Sequence, residues 1–241
     1  MILEDHNLGH TAAVREESLA AARKTAKLVN GAGLITGAWL FFLPKPYFWA
    51  ITAGLMVPLV AIAALFWHRS IIRPDEQKNS AYPSVAAALF VPAGLLLLRG
   101  ILDFELLHYA PVWPVAGAVA ALAGALVLLG SRAFLQQPKS RLSTSLSTMA
   151  FALLYGYGSV VAVNCVFDEG QPVRHRVKVL GKHYSSGKTT TYYLHVSPWS
   201  PRTEAEDITV SEKYYDQVQP GTTISIYLLP GQLGIPWFTA E

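Results

Sequence analysis

Long uncharged apolar segments alternate with short polar connections between residues 28 and 165. The first two form an apolar hairpin from Leu28 to Trp67, interrupted once by Pro44-Lys45-Pro46 because proline cannot continue a helix. Neither arm contains a charged residue, and a helix needs about 20 apolar residues to cross the hydrocarbon core of a bilayer. The first arm is slightly short, and we expect Lys27 to extend it by snorkelling. The hairpin therefore predicts two membrane-spanning helices.

Three more apolar segments, separated by polar loops, continue this pattern. Together with the hairpin they predict a transmembrane helical domain over residues 28–165. The five predicted spans cover residues 28–43, 47–67, 82–98, 112–129 and 146–163. The expected fold class is an α-helical membrane bundle of about five spans, followed by a small all-β domain.

The first 27 residues are polar at the start and rich in alanine from Thr11 onwards. Arg23, Lys24 and Lys27 lie late in this stretch, after two glutamates, which suits the helix dipole. The segment 1–27 predicts a cytoplasmic tail and a short helix that runs into the first span. A helix that binds a partner or lies on the membrane surface is the alternative, although its apolar face is mostly alanine.

The hydrophobic period changes to two at Val173, from where Val177 and Val179 alternate with basic residues. Such alternation predicts a half-buried strand. A second strand, rich in β-branched and aromatic residues, follows a predicted turn at residues 185–188. Further on, Pro220-Gly221 predicts a type II turn between two later strands. Residues 166–241 are therefore expected to form an OB- or SH3-like barrel, or a compact sheet, of four or five strands.

Lysine and arginine are distributed unevenly among the tail and the loops. The first and third connections contain only Lys45 and Arg99, whereas the tail and the second and fourth loops are basic. The residues that set this bias are Arg15, Arg23, Lys24, Lys27, Arg69, Arg73, Lys78, Arg132, Lys139 and Arg141. By the positive-inside rule, the tail and these two loops are cytoplasmic. Five spans then place residues 166–241 outside the cytoplasm, in a multi-pass protein of a bacterial inner (plasma) membrane.

The composition agrees with a chain split between lipid and water. Hydrophobic residues make up 52% and charged residues 15%, against about 25% charged in an average soluble domain. The net charge of +3 mostly reflects basic residues that flank the apolar segments. Cys165 is the single cysteine, which excludes an intrachain disulfide and a multi-cysteine metal site. No cleavable signal peptide is expected, because residues 1–27 carry charges throughout.

A mixture of charged and apolar residues follows the third predicted span. Arg99 and Asp103 are four residues apart and would face each other on a continuing helix. One interpretation is a surface helix at the bilayer boundary with a local ion pair. The other is a polar binding or catalytic site at the mouth of the bundle, built from Arg99, Asp103, Glu105 and His108.

Small residues recur inside the predicted spans. Gly33 and Gly37 have the small-xxx-small spacing that lets helix backbones approach closely, and Gly156 and Gly158 predict a second close crossing. Packing within one chain is the simpler interpretation, and a homo-oligomer interface is the alternative.

A basic stripe lies along the first predicted strand, at Arg174, Arg176 and Lys178. Acidic residues elsewhere in the same domain offset its charge, so a nucleic-acid partner is not expected. The stripe is interpreted as a solvated strand face, with contact to lipid headgroups as the alternative.

Metal and cofactor chemistry is not predicted. His175 and His183 are eight residues apart on one strand, too far to share an ion, although His195 lies on the partner strand. The GKTT segment at residues 187–190 lacks the upstream glycine of a phosphate loop and sits in a hairpin turn. No cofactor, metal site or catalytic residue is therefore assigned.

The string YYDQVQPGTTISIYLLPGQLGIPW, at residues 214–237, is similar to short β-modules of uncharacterised membrane-protein families. The layout of apolar spans followed by a small β-domain resembles the nodulation-efficiency protein D class, whose members end in an OB-like barrel. The resemblance covers roughly the last 70 residues and implies the barrel fold. The number of spans differs, a protease-like partner segment is lacking, and no catalytic residue carries over.

These patterns favour a non-enzymatic membrane protein whose β-domain is an interaction or assembly module at the cell envelope. Its expected partners are the lipid bilayer and an envelope protein, and a homo-oligomer is left open. A small transporter or channel component is one alternative, with few polar residues in the spans beyond Asn30, Thr36, Thr52 and tyrosines. A membrane enzyme with its site at the bundle mouth is the other.

Overall fold

The computed structural model describes residues 11–68, 71–77, 80–187 and 190–240. The predicted tail at residues 1–10, the basic residues Arg69 and Lys78, and Lys188 of the predicted turn lie outside the described residues. The chain divides into two compact units. A helical unit comprises Met1–Asp103 and Tyr109–Phe167, and a sheet unit comprises Phe104–His108 and Asp168–Glu241.

The helical unit contains six helices within the described residues. They are α1 (Ala12–Phe42), α2 (Tyr47–Trp67), α3 (Ala86–Leu102), α4 (Val112–Gly130), the short α5 (Arg132–Leu135) and α6 (Pro138–Val166). Thr11 is the N-cap of α1, where its side chain accepts a hydrogen bond from the Val14 amide. The helix is continuous through the predicted junction at residue 27. The prolines at 44 and 46 separate α1 from α2, as predicted.

Three helices among the described residues are long and apolar enough to cross a membrane: α2, α4 and the Ser140–Val166 part of α6. Helix α3 is apolar but shorter, at 17 residues. These helices are consistent with a membrane protein. The number of five spans stays a prediction.

The third helix is displaced from the predicted span of 82–98. Its start is delayed because the residues before Ala86 pair with the α2–α3 connection. The Arg73 amide donates to the Pro83 carbonyl at 2.9 Å, and the Val85 amide donates to the Arg73 carbonyl at 2.9 Å. At the other end the helix continues to Leu102, so Arg99 lies in its last turn.

Glycines allow α1 and α3 to pack closely. A Cβ atom added at Gly33 would lie 2.6 Å from the Cα of Ala88, and one added at Gly37 would lie 2.3 Å from a methyl group of Val91. Real Cβ contacts are essentially never below 3.0 Å. The small-xxx-small pair of α1 therefore packs against a helix of the same chain.

The pair of glycines in α6 has the same role toward two other helices. A Cβ at Gly156 would lie 2.7 Å from the Ala116 carbonyl oxygen of α4, and one at Gly158 would lie 2.5 Å from the Leu97 amide nitrogen of α3. The backbone of α6 therefore packs directly against the backbone of α4 at Gly156 and against that of α3 at Gly158.

Contacts between helices define two ends of the helical unit. At the α2–α3 end, the Thr25 hydroxyl lies 3.0 Å from Nε2 of His68, and Asn30 donates to the Ser84 carbonyl at 2.8 Å. At the opposite end, which we call the α1–α2 end, the rings of Phe48 and Phe167 lie 4.9 Å apart between centroids.

The sheet unit contains a six-stranded antiparallel sheet within the described residues, in the order β1-β6-β5-β2-β3-β4. Its strands are β1 (Glu105–Leu106), β2 (Val173–Ser185), β3 (Thr191–Val196), β4 (Glu206–Val210), β5 (Thr223–Leu229) and β6 (Trp237–Ala240). A short helix, α7 (Glu212–Gln217), follows β4. The prediction of a C-terminal sheet domain is confirmed, and the sheet is a half-barrel.

The long strand β2 joins the two halves of this sheet. Its first residues pair with β5, and its later residues pair with β3, after a register shift between Val179 and Gly181. Val177 and Val179 point into the core together with Leu194, Ile208 and Ile226, while the alternate residues face outwards. The alternation predicted from the sequence is thus present, although β2 extends to Ser185.

Candidate functional site

The predicted polar site begins at the last turn of α3, where Arg99 and Asp103 form an ion pair with 3.4 Å between nitrogen and oxygen. The Tyr47 hydroxyl donates to the Asp103 carboxylate at 2.6 Å. Arg99 also donates to the carbonyls of Leu40 and Phe41, at 2.8 and 2.9 Å. These bonds tie the α1, α2 and α3 helices together at the α1–α2 end of the helical unit.

The contacts of Arg99 are those of a helix cap. Leu40 and Phe41 lie in the last turn of α1, where backbone carbonyls lack helical partners and carry partial negative charge. A guanidinium that donates to them satisfies these carbonyls and stabilises the helix end. The ion pair is still partly exposed, with side chains 21% and 26% accessible. The arrangement favours the interpretation as a local ion pair over a reactive site.

The other two residues of the predicted site lie in the sheet unit. Glu105 belongs to strand β1, opposite Phe238, and His108 follows it. Burial raises the pKa of Glu105 to about 7, assisted by the charge of Glu206 and opposed by a backbone hydrogen bond at Thr209 and by the charge of Arg202. Its carboxyl group therefore titrates near neutral pH. The four residues are divided between the two units, with two in each.

A buried charged cluster lies in the connection between α2 and α3. Arg73 and Asp75 are 2% and 4% exposed and form an ion pair at 3.2 Å. Asp75 accepts hydrogen bonds from Ser143 at 2.5 Å and from Thr144 at 3.2 Å, both on α6. We call Arg73, Asp75, Ser143, Thr144 and their neighbour Ser140 the buried polar cluster.

Arg73 holds two further contacts within this region. It donates to the Ser140 hydroxyl at 3.1 Å, and its guanidinium carbon lies 4.6 Å from the ring centroid of Phe134. Its Nε atom is buried and has no hydrogen-bond partner among the described residues. The guanidinium is thus held by one carboxylate, one hydroxyl and one aromatic face.

The environment of Asp75 keeps its carboxylate ionised. Burial by itself would raise the pKa, but the hydrogen bond from Ser143, the charge and hydrogen bonds of Arg73 and the bond from Thr144 outweigh it, so the pKa is lowered. Gln77 adds another donor at 3.2 Å. A carboxylate with this many donors is a poor general base, and its chemistry is to anchor the α2–α3 connection to α6.

The spacing of hydroxyl residues in the sequence indicates part of this cluster. Ser140, Ser143 and Thr144 are spaced at i, i+3 and i+4, which places three hydroxyls on one face at the start of α6. That spacing predicts a partner for the face, but the partner is more than 60 residues away along the chain. By sequence, Arg73 is one of the basic residues of the second loop.

The outer face of the sheet unit carries a second group of interacting polar side chains. Nδ1 of His195 lies 2.9 Å from Oδ1 of Asp207, and Nε2 of His183 lies 3.8 Å from its Oδ2. The ring of His183 stacks on Tyr193, with centroids 5.1 Å apart and planes 17° apart. All three charged or titratable side chains are about half exposed. We call His183, Tyr193, His195 and Asp207 the hairpin face.

The register shift between Val179 and Gly181 places the two histidines of β2 on different faces of the sheet. His183 and His195 share the outer face, whereas the ring of His175 packs beside the Trp199 ring, at 5.4 Å between centroids. Among the described residues, no group of three His, Cys, Asp or Glu side chains is arranged to hold a metal ion. The GKTT segment includes Lys188 and Thr189, which lie outside the described residues.

The basic stripe lies on the outer face of β2, as the alternation predicts. Arg174, Arg176 and Lys178 are all exposed and stand opposite Tyr227, Ser225 and Thr223 of β5. Arg174 donates to the Ser225 hydroxyl at 2.9 Å. The stripe is thus accessible to water or to an anionic surface.

The fold and these contacts define a class: a protein with membrane-length helices in one unit and a half-barrel sheet in another. No protein-family model, curated protein or solved structure matches the chain.

Proposed function

We propose that this is a multi-pass plasma-membrane protein with five spans, whose sheet unit is a non-enzymatic interaction or assembly module outside the cytoplasm. Exposed basic residues at the α2–α3 end, among them Arg23, Lys24, Arg132 and Arg141, support the orientation. The α1–α2 end has Lys45 and Arg99, of which Arg99 is engaged as a helix cap. The sheet unit follows α6 from that less basic end.

The observation that carries the interaction role is the hairpin face. It combines a stacked histidine and tyrosine with a second histidine and a carboxylate, all accessible on one side of the β2-β3-β4 half of the sheet. Aromatic side chains with polar tips are enriched in protein interfaces, because they bury a large area and still satisfy hydrogen bonds. Such a face suits an envelope protein partner.

The orientation is tested by cysteine labelling in intact cells. In a Cys165→Ala background, Ser186→Cys places a thiol at the end of β2, and Gln137→Cys places one at the start of α6. We expect a membrane-impermeant maleimide to label Ser186→Cys without lysis and Gln137→Cys only after lysis. Labelling of both positions on the same side would contradict five spans.

The interaction role is tested by photo-crosslinking from the hairpin face. A benzoylphenylalanine at Tyr193 should give a discrete adduct with an envelope protein in intact cells, because this position is at the centre of the face. Tyr227, on the outer face of β5, is the matched aromatic control and should give none. The absence of a discrete adduct at Tyr193, or equal adducts at both positions, would argue against the proposal.

A further inference from the structure

An open pocket of about 500 Å³ lies where α4, α5 and α6 meet, at the α2–α3 end of the helical unit. Ligand pockets commonly have volumes of about 300–1,000 Å³. The residues that line it are Leu128, Arg132, Leu135, Gln136, Arg141 and Ser145. Three successive helices therefore contribute to one concave surface.

The polar part of the pocket carries two positive charges. Arg132 comes from α5 and Arg141 from α6, and both side chains are exposed. Gln136 and Ser145 add neutral hydrogen-bond donors to the lining of the pocket. Two guanidiniums from different helices can bind one phosphate group in a fixed geometry, because each offers a planar fork of donors.

The apolar part of the pocket continues into a surface that suits acyl chains. Leu128 and Leu135 line the pocket itself. Beside it, α6 presents an exposed row at i, i+4, i+7 and i+11: Leu142, Leu146, Met149 and Leu153 are 52–70% accessible. This row lies on a helix long and apolar enough to cross a membrane, so lipid is the medium expected to cover it.

We propose that this pocket binds the headgroup of an anionic phospholipid, with its phosphate on Arg132 and Arg141 and its acyl chains along the leucine row of α6. A basic pocket next to membrane-spanning helices is a recognised arrangement for anionic headgroups. A free phosphate would contact the two arginines but would make no favourable contact with the apolar wall. The proposal holds for either orientation of the protein in the membrane.

Another basic surface at the same end provides the matched comparison. Arg23, Lys24 and Lys27 lie on α1 beside Ala20 and Leu28, on a single helix. Their charges attract anionic lipids in general, but residues of one helix cannot surround a headgroup. Retention of a specific lipid is therefore expected at the α4–α6 pocket.

The test is native mass spectrometry of the purified protein, released from detergent after incubation with equal amounts of phosphatidylglycerol and phosphatidylcholine. The parent protein should retain phosphatidylglycerol in preference to phosphatidylcholine. The Arg132→Gln/Arg141→Gln variant should lower that preference about 30-fold, because each basic residue near an anionic surface contributes about fivefold. The Arg23→Gln/Lys24→Gln variant, which loses the same charge, should keep most of it.

Several outcomes would overturn the proposal. They are equal retention of the two lipids by the parent protein, an equal loss of preference in both double variants, and complete displacement of phosphatidylglycerol by excess inorganic phosphate. The last would identify a site for small anions. If the Arg132→Gln/Arg141→Gln variant does not fold, hydrogen exchange of the parent decides: phosphatidylglycerol, but not phosphatidylcholine, should protect residues 132–145.

Discussion

Replacing Asp75 with alanine is expected to lower the free energy of unfolding of the helical unit by about 3–5 kcal/mol, because it leaves a buried charge uncompensated. Arg73 would keep the Ser140 hydroxyl and the Phe134 ring but lose its counter-charge at a site that is 2% exposed. Ser143 and Thr144 would each lose the acceptor of their hydrogen bond. The measurement is the temperature at which a thiol-reactive fluorophore labels Cys165, which is the single cysteine and is buried in α6.

Two further variants distinguish the effect of a buried ion pair from that of a partly exposed one. Asp103→Ala breaks the partly exposed pair with Arg99 and the hydrogen bond from the Tyr47 hydroxyl, and should cost less, about 1–2 kcal/mol. The double variant Arg73→Met/Asp75→Leu removes both buried charges and should recover much of the loss, since no unpaired charge remains. If Asp75→Ala cost no more than Asp103→Ala, the buried polar cluster would not anchor the α2–α3 connection.

The dependence of this effect on pH follows from the direction of the pKa shift. The pKa of Asp75 is lowered from its ordinary value of 3.8, so its stabilising contribution is fully present above that value. It is lost as the pH falls below 3.8 and through the lowered pKa of the folded protein. The difference between the parent protein and Asp75→Ala should therefore be constant near neutral pH and shrink in strong acid.

The sequence predicted best those elements that depend only on local pattern. Helix α2 begins and ends at the predicted residues 47 and 67, and α4 differs by one residue, because prolines and charged loops bound both apolar segments. The strands β2 to β6 all lie in the segment predicted to form strands, residues 166–241, but β2 extends past its alternating segment to Ser185 and β6 extends to Ala240. Three elements were missed, and the first, α5, is a single turn in a segment that the sequence predicts as a polar loop. Strand β1 has only two residues, too few for any period, and α7 is a single short turn of polar sequence.

What the pattern could not supply was the pairing of distant residues. Asp75 lies in a polar loop, where an aspartate is usually exposed to water. In the structure it is buried and accepts a hydrogen bond from a hydroxyl of α6. Glu105 lies close to Arg99 along the chain, but its strand β1 pairs with β6 more than 130 residues later. Both pairings have one physical cause: side-chain chemistry fixes which groups need partners, and tertiary folding decides which partners they receive.

The second large effect is expected from Gly158→Ala, which should lower the free energy of unfolding of the helical unit by about 3 kcal/mol. The added methyl group would lie 2.5 Å from the Leu97 amide nitrogen and 2.9 Å from the Leu96 carbonyl carbon. Both are backbone atoms of α3, which cannot rotate away as a side chain would. Relief requires α3 and α6 to move apart, and labelling of Cys165 on heating measures the cost.

Gly117→Ala supplies the control, because a Cβ at that position would meet no atom within 4 Å. Alanine has a higher helix propensity than glycine, so this variant should be neutral or gain up to about 1 kcal/mol. The two substitutions are chemically identical and both lie in membrane-length helices, so opposite effects would isolate the close approach of α3 and α6. A loss of similar size in both variants would mean that backbone preference, and not helix packing, determines why glycine is needed at position 158.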